Sequence, residues 1–199
     1  MLIVVLVVIV IAAGPLLKAA GRYLSVPSSD KNCDVLVVES GSTVADYVMQ
    51  EAIRLYQNNR IEKIMIVLHT YDVHPNVFGV QNYSQLVAQA FDSLDIPASD
   101  YSVLHLGVPD PYTYNTAIAL ADTLTQSKVN SILLLNDNFH IRRSLLAYQK
   151  AFRSTEINVY PHVLPIYITS ENWWHSGNGW RRVVGEYLKL TFYFIKGYL

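Results

Sequence analysis

From residue 34 onward, short runs of Val, Ile and Leu alternate with longer stretches in which apolar residues recur every third or fourth position. The runs predict strands over 34–38, 61–68, 101–106, 131–135 and 157–166, and the stretches predict helices over 43–59, 84–94, 113–127, 140–152 and 180–196. In the first of these helices Val44, Val48, Ala52 and Leu55 share one face. Strands that alternate with helices of this length need right-handed crossovers, which build a mostly parallel sheet covered on both faces. The expected fold class is therefore α/β, a Rossmann-like three-layer sandwich.

The amino-terminal pattern is different. Residues 1–17 carry no charge and are dominated by Val, Ile and Leu, a run close to the length that spans a bilayer as a helix. A cleaved signal peptide is an alternative, although the run lacks a cationic start; a buried β-strand is another, although strands are rarely so long. The expected organisation is a membrane anchor over 1–22, a linker over 23–33 that contains the Ser- and Pro-bearing stretch Ser25 to Asp30, and an α/β domain over 34–199. Lys18, Arg22 and Lys31 follow the span, which on charge alone would hold the domain on the cytoplasmic side.

Composition narrows the classes. The chain is 51% hydrophobic, enough for a sizeable core, and its net charge of −1 offers no positive field for nucleic acid. Cys33 is the single cysteine, so an internal disulfide and a multi-cysteine zinc site are both excluded.

Each predicted strand ends in a polar cluster, and a parallel sheet gathers all such ends along one edge, where α/β folds bind ligands. After the first strand come Glu39, Ser40, Gly41, Ser42 and Thr43. They form either a plain helix cap or a helix N-terminus open to an anion, with Glu39 opposing the anion. After the fourth come Asn136, Asp137, Asn138 and His140, with Arg143 one turn on. A neutral imidazole there can act as base or nucleophile, and a guanidinium offers a fork for phosphate or carboxylate; the plainer reading is an Arg paired with a neighbouring acid. Asn115 and Thr116 follow the turn at Pro109 to Pro111 and serve either as caps or as ligand contacts. His69, Asp72 and His74 are too loosely spaced to argue for a metal, and no cofactor is indicated. Trp173, Trp174 and Trp180 form an aromatic loop that suits core packing, a lid or a lipid-facing belt.

Tyr114-Asn115-Thr116 before an Ala-rich helix, Phe139-His140-Ile141-Arg142-Arg143-Ser144 after a strand, the Trp loop, and Glu186-Tyr187-Leu188-Lys189 in a terminal aromatic helix together resemble the ElyC/SanA/YdcF family over roughly 34–197. The chain departs from that pattern at Glu39-Ser40-Gly41-Ser42 and at His69-Thr70-Tyr71. The resemblance implies a Rossmann-like domain behind a single-pass membrane anchor, facing the cell envelope outside the cytoplasm, with a role in peptidoglycan or lipid-carrier metabolism. Two readings follow. One is an enzyme acting on a phosphate-containing, lipid-linked glycan precursor, with His140 as acid, base or nucleophile, Arg143 and the Ser42 and Thr43 amides on the anion, and Asn115, Thr116 and Glu39 positioning it. The other is a non-catalytic envelope binding or scaffold protein; a nucleotide or S-adenosylmethionine binder is a third possibility.

Overall fold

The computed structural model describes residues 14–69, 83–164 and 166–199. Among these the five strands are β1 (Cys33–Ser40), β2 (Ile61–Leu68), β3 (Tyr101–His105), β4 (Ser131–Asp137) and β5 (Asn158–Leu164). They form one sheet in the order β3-β2-β1-β4-β5, with every neighbouring pair parallel. The helices are α1 (residues 14–24), α2 (Asp46–Gln57), α3 (Tyr83–Asp92), α4 (Tyr112–Thr125), α5 (Ile141–Ala151) and α6 (Gly177–Ile195), with a short 3-10 turn at Trp173–His175 ahead of α6. The α/β architecture read from the pattern is present, and the sheet is wholly parallel.

Strand period explains the layering. In β1, Leu36 and Val38 face one core with Ala52 and Leu55 of α2 and Phe91 of α3, while Val35 and Val37 face another with Leu120 of α4 and Tyr148 of α5. In β4, Leu133 and Leu135 take the first side, Ile132 and Leu134 the second. Both faces are thus buried, which is why the central strands read as unbroken apolar runs.

A third core lies outside the sheet. Leu24 of α1, Phe139, Trp173 and Val183 and Leu190 of α6 pack together. Two glycines permit this: a Cβ on Gly21 would lie 2.9 Å from the Trp173 ring, and one on Gly179 would lie 1.9 Å from the Trp173 carbonyl oxygen. The indole Nε1 of Trp173 donates to the Leu17 carbonyl (2.9 Å) and Tyr187 Oη donates to the Ala20 carbonyl (2.9 Å), so α1 is docked against α6.

Several expected boundaries move. Helix α2 starts at Asp46 rather than Thr43, and β4 continues through Asn136 and Asp137 rather than stopping at Leu135. Of the expected anchor, residues 1–13 lie outside the described residues and 14–22 belong to α1; among the described residues no helix is long and apolar enough to cross a membrane. The expected linker is laid along the free edge of β5, where Ser29 N donates to the Pro161 carbonyl (2.8 Å) and Val163 N donates to Ser28 Oγ (2.9 Å). That contact partners part of an edge strand that would otherwise present bare N–H and C=O groups.

Candidate functional site

Strands β1 and β4 lie side by side at the centre of the sheet, yet the chain leaves β1 toward one face and β4 toward the other. A crevice opens where such connections part, at the carboxyl ends of the strands. Glu39 stands at the end of β1, His69 just past β2, Tyr112 and Thr113 in the first turn of α4, and Asp137 to His140 at the end of β4.

On the β1 side, Glu39 accepts a hydrogen bond from Tyr148 Oη of α5, and its other oxygen lies 3.4 Å from His69 Nε2. That separation is ion-pair range without hydrogen-bond alignment, so among the described residues the buried Nε2 has no hydrogen-bond partner. Tyr112 stacks on the His69 ring with centroids 5.1 Å apart. Burial, with the Glu39 carboxylate beside it, pushes the Tyr148 hydroxyl well above the ordinary tyrosine range, so Tyr148 stays a donor.

On the β4 side, Asp137 Oδ1 accepts from the backbone N–H of Phe139 (3.0 Å) and His140 (3.2 Å), which turns the strand into α5, while Oδ2 pairs with Arg182 at 2.8 Å. One turn into α5, Arg143 is buried. Its Nε and Nη2 donate to the two oxygens of Glu186 on α6 (2.8 and 3.3 Å), Nη1 donates to Thr113 Oγ1 (3.3 Å), and Nη2 lies 2.8 Å from His140 Nδ1. A guanidinium can only donate, so His140 Nδ1 accepts from it, and Nε2 lies 3.0 Å from Ser144 Oγ. Burial works to raise the Glu186 pKa, but the paired hydrogen bonds and positive charge of Arg143 outweigh it and hold the carboxyl far below its usual range.

The expected residues thus divide. Glu39 and His140 both lie at the carboxyl edge of the sheet and are joined through α4 and α5, because Tyr112 touches His69 while Thr113 touches Arg143, and Tyr148 touches Glu39. Arg143 has its fork closed on Glu186 and presents no free pair of donors to an anion. Ser42 and Thr43 are exposed and precede the α2 N-terminus, whose cap is Ala45 and whose first turn carries the Asp46 carboxylate; the expected anion-binding helix start is therefore not formed by those residues. Ser40 Oγ instead donates to the Thr43 carbonyl, and the Gly41 carbonyl accepts from His69 N at 2.9 Å. Asn115 Nδ2 donates to the Pro109 carbonyl (2.9 Å), and Thr116 is wholly buried with no partner for its hydroxyl. Asn136 is part of β4, and Asn138 is buried with Nδ2 on the Ile168 carbonyl (3.1 Å). Asp72 and His74 lie outside the described residues, and among the described ones no group of three or more His, Cys, Asp or Glu is placed to hold a metal ion.

Sequence reasoning gave no role to Glu186, Tyr148 or Thr113. A usable signal existed for the first, since Glu186 is the one acid of α6 and shares the face of Val183, Leu190 and Tyr193. The same signal marks Glu51 on the buried face of α2, where it binds Arg54 (2.6 Å) and His162 Nε2 of β5 (2.7 Å). Beside the His140 cluster lies a cleft of about 270 Å3 lined by Asp137, Phe139, Arg181, Arg182, Glu186 and Lys189, in which three cations face two carboxylates. No protein-family model matches the chain, and no curated protein matches it.

Proposed function

We propose that this chain is a membrane-tethered cell-envelope protein of the ElyC/SanA/YdcF type that binds a phosphate-containing, lipid-linked glycan precursor at the carboxyl edge of its sheet. The observation that carries this reading is the cleft at the end of β4, where Arg181, Arg182 and Lys189 gather on the same carboxyl edge of the sheet that carries Glu39, His69 and His140. A phosphate monoester or diester suits cations that are partly exposed and already oriented by Asn178, Asp137 and Glu186. The carboxylate-and-imidazole pair on the β1 side offers acceptors and donors suited to the hydroxyl-rich glycan.

Binding without chemistry is favoured over catalysis by the state of His140, whose two ring nitrogens are both engaged, one by Arg143 and one beside Ser144. The catalytic reading rests on Glu39 and His69, a carboxylate beside an imidazole with an unused nitrogen, which is the composition of a general base. Thermal shift of the full chain in detergent with short isoprenyl phosphates, nucleotides and S-adenosylmethionine tests the ligand class. A ligand at 100 times its Kd stabilises by about 2.7 kcal/mol. Isoprenyl phosphate is expected to raise Tm, and Arg182→Ala to diminish that rise; stabilisation by a nucleotide or S-adenosylmethionine alone would overturn the proposal. If His69→Ala keeps the Tm rise but fails to restore envelope integrity to cells that lack the protein, where the wild-type chain restores it, the catalytic reading takes its place.

A further inference from the structure

Helix α6 is apolar on two opposite faces. Gly179, Val183, Glu186, Leu190 and Tyr193 are buried against the rest of the protein. At one residue per 100°, Trp180, Val184, Leu188, Ile195 and Phe192 sweep an arc on the far side, and all five are exposed, Leu188 at 68% and Ile195 at 74%. Arg181 is the one charge within that arc, the other three cations of α6 and its carboxyl cap lying along one flank, and an apolar outer face so little interrupted belongs against a second apolar medium. Between α1 and α6 the same surface continues as a groove of about 740 Å3 lined by Tyr23, Leu146, Tyr187, Leu190, Phe194 and Leu199.

Charge decides between a second copy of the chain and a lipid surface. Residues 177–196 hold four cations (Arg181, Arg182, Lys189 and Lys196) and one acid, Glu186, which is buried, whereas the whole chain has a net charge of −1. Two such helices face to face would repel, and an anionic bilayer would attract them. Position agrees. The uncharged residues 1–13 lead into α1 at the end where Leu17 meets Trp173, and the exposed Trp180 stands against that turn at the head of α6. Tryptophans concentrate at the depth of lipid headgroups.

We propose that the outer face of α6 rests on an anionic lipid bilayer as an interfacial helix, seating Leu188, Phe192 and Ile195 at the boundary of headgroups and acyl chains. This deepens the tether reading by adding a second membrane contact, independent of residues 1–13. It also puts the crevice one helix away from the lipid, because Glu186 on the opposite side of α6 binds Arg143.

The test uses site-directed labelling of the full chain. Cys33 is buried and its thiol is pushed up to about 11 by burial, so it stays unlabelled, and Leu188→Cys, Ile195→Cys and the control Asp122→Cys on exposed α4 each accept one environment-sensitive fluorophore. With vesicles of phosphatidylcholine and phosphatidylglycerol, the 188 and 195 labels are expected to shift to the blue and to be quenched by brominated acyl chains, and the 122 label to do neither. The shift should shrink as phosphatidylglycerol is withdrawn, and more sharply in an Arg181→Gln, Lys196→Gln background. Protein that floats with vesicles while its 188 label stays in water retains the tether and overturns the α6 proposal. Protein that does not float overturns both. A 188 shift that appears without lipid and grows with protein concentration assigns the face to a second copy and also overturns the proposal.

Discussion

The two sides of the crevice are built on opposite terms. On the β4 side, Arg143, Glu186, Thr113, His140 and Ser144 answer one another's hydrogen-bonding needs and leave little for a ligand. On the β1 side, Glu39 is held by Tyr148, while His69 keeps a buried ring nitrogen with no hydrogen-bond partner among the described residues. The difference teaches that the side chains most suggestive of chemistry by type can be spent on architecture, here in fastening α5 to α4 and α6, while recognition falls to the less crowded neighbours. A saturated polar network resists change strongly; an unsaturated one changes function at small structural cost.

The largest break in that comparison is expected from Glu186→Ala, which leaves the Arg143 guanidinium buried without a counter-charge. Loss of one member of a buried pair costs about 3–5 kcal/mol, to be read from urea unfolding at pH 7. If the loss is under about 1 kcal/mol, the β4 cluster does not hold the helices together. The same carboxyl makes a pH prediction. Its pKa is held below the ordinary 4.5, so its contribution is complete above that pH and is lost as pH falls beneath it. Wild type should therefore lose stability more steeply below pH 4.5 than Glu186→Gln, and parallel acid-unfolding curves would contradict this.

Intermediate effects belong to Tyr148→Phe, which takes the donor from the buried Glu39 oxygen and should cost about 1–3 kcal/mol. The smallest effects sharpen the contrast. His69→Asn should change stability by less than about 1 kcal/mol while altering the ligand-dependent Tm rise, because that nitrogen has no protein bond to lose. Ser42→Ala and Thr43→Ala should lie within about 0.5 kcal/mol of wild type and leave the Tm rise intact, since both are exposed and neither caps α2.

Element order was legible because the central strands bury both faces and each helix of the sandwich one, and these requirements write different periods into the chain. The start of α2 was not. Ser42 and Thr43 have the composition of a cap, but Ser40 turns back on Thr43, and Tyr83 Oη, from a helix almost forty residues on, accepts from Val44 N at 3.0 Å. Tertiary contacts thereby delay the helix by a turn. The site was legible in part: strand-end residues converge by topology alone, which brought out Glu39 and His140. The engagement of Arg143 was hidden, because its partner lies 43 residues away on another helix and nothing local distinguishes a fork that waits for phosphate from one already closed on a carboxylate.

The contact at Gly179 has one further consequence. Since even a methyl group there would fall 1.9 Å from the Trp173 carbonyl oxygen, Gly179→Ala must lever the head of α6 away from the tryptophan turn. A rigid rod pivoted at one end moves all its passengers, so Glu186, Lys189 and the exposed row of Leu188, Phe192 and Ile195 would shift as a set. That substitution should yield a heat-sensitive allele: protein that accumulates at low growth temperature and is degraded at high, which immunoblotting across a temperature series would reveal.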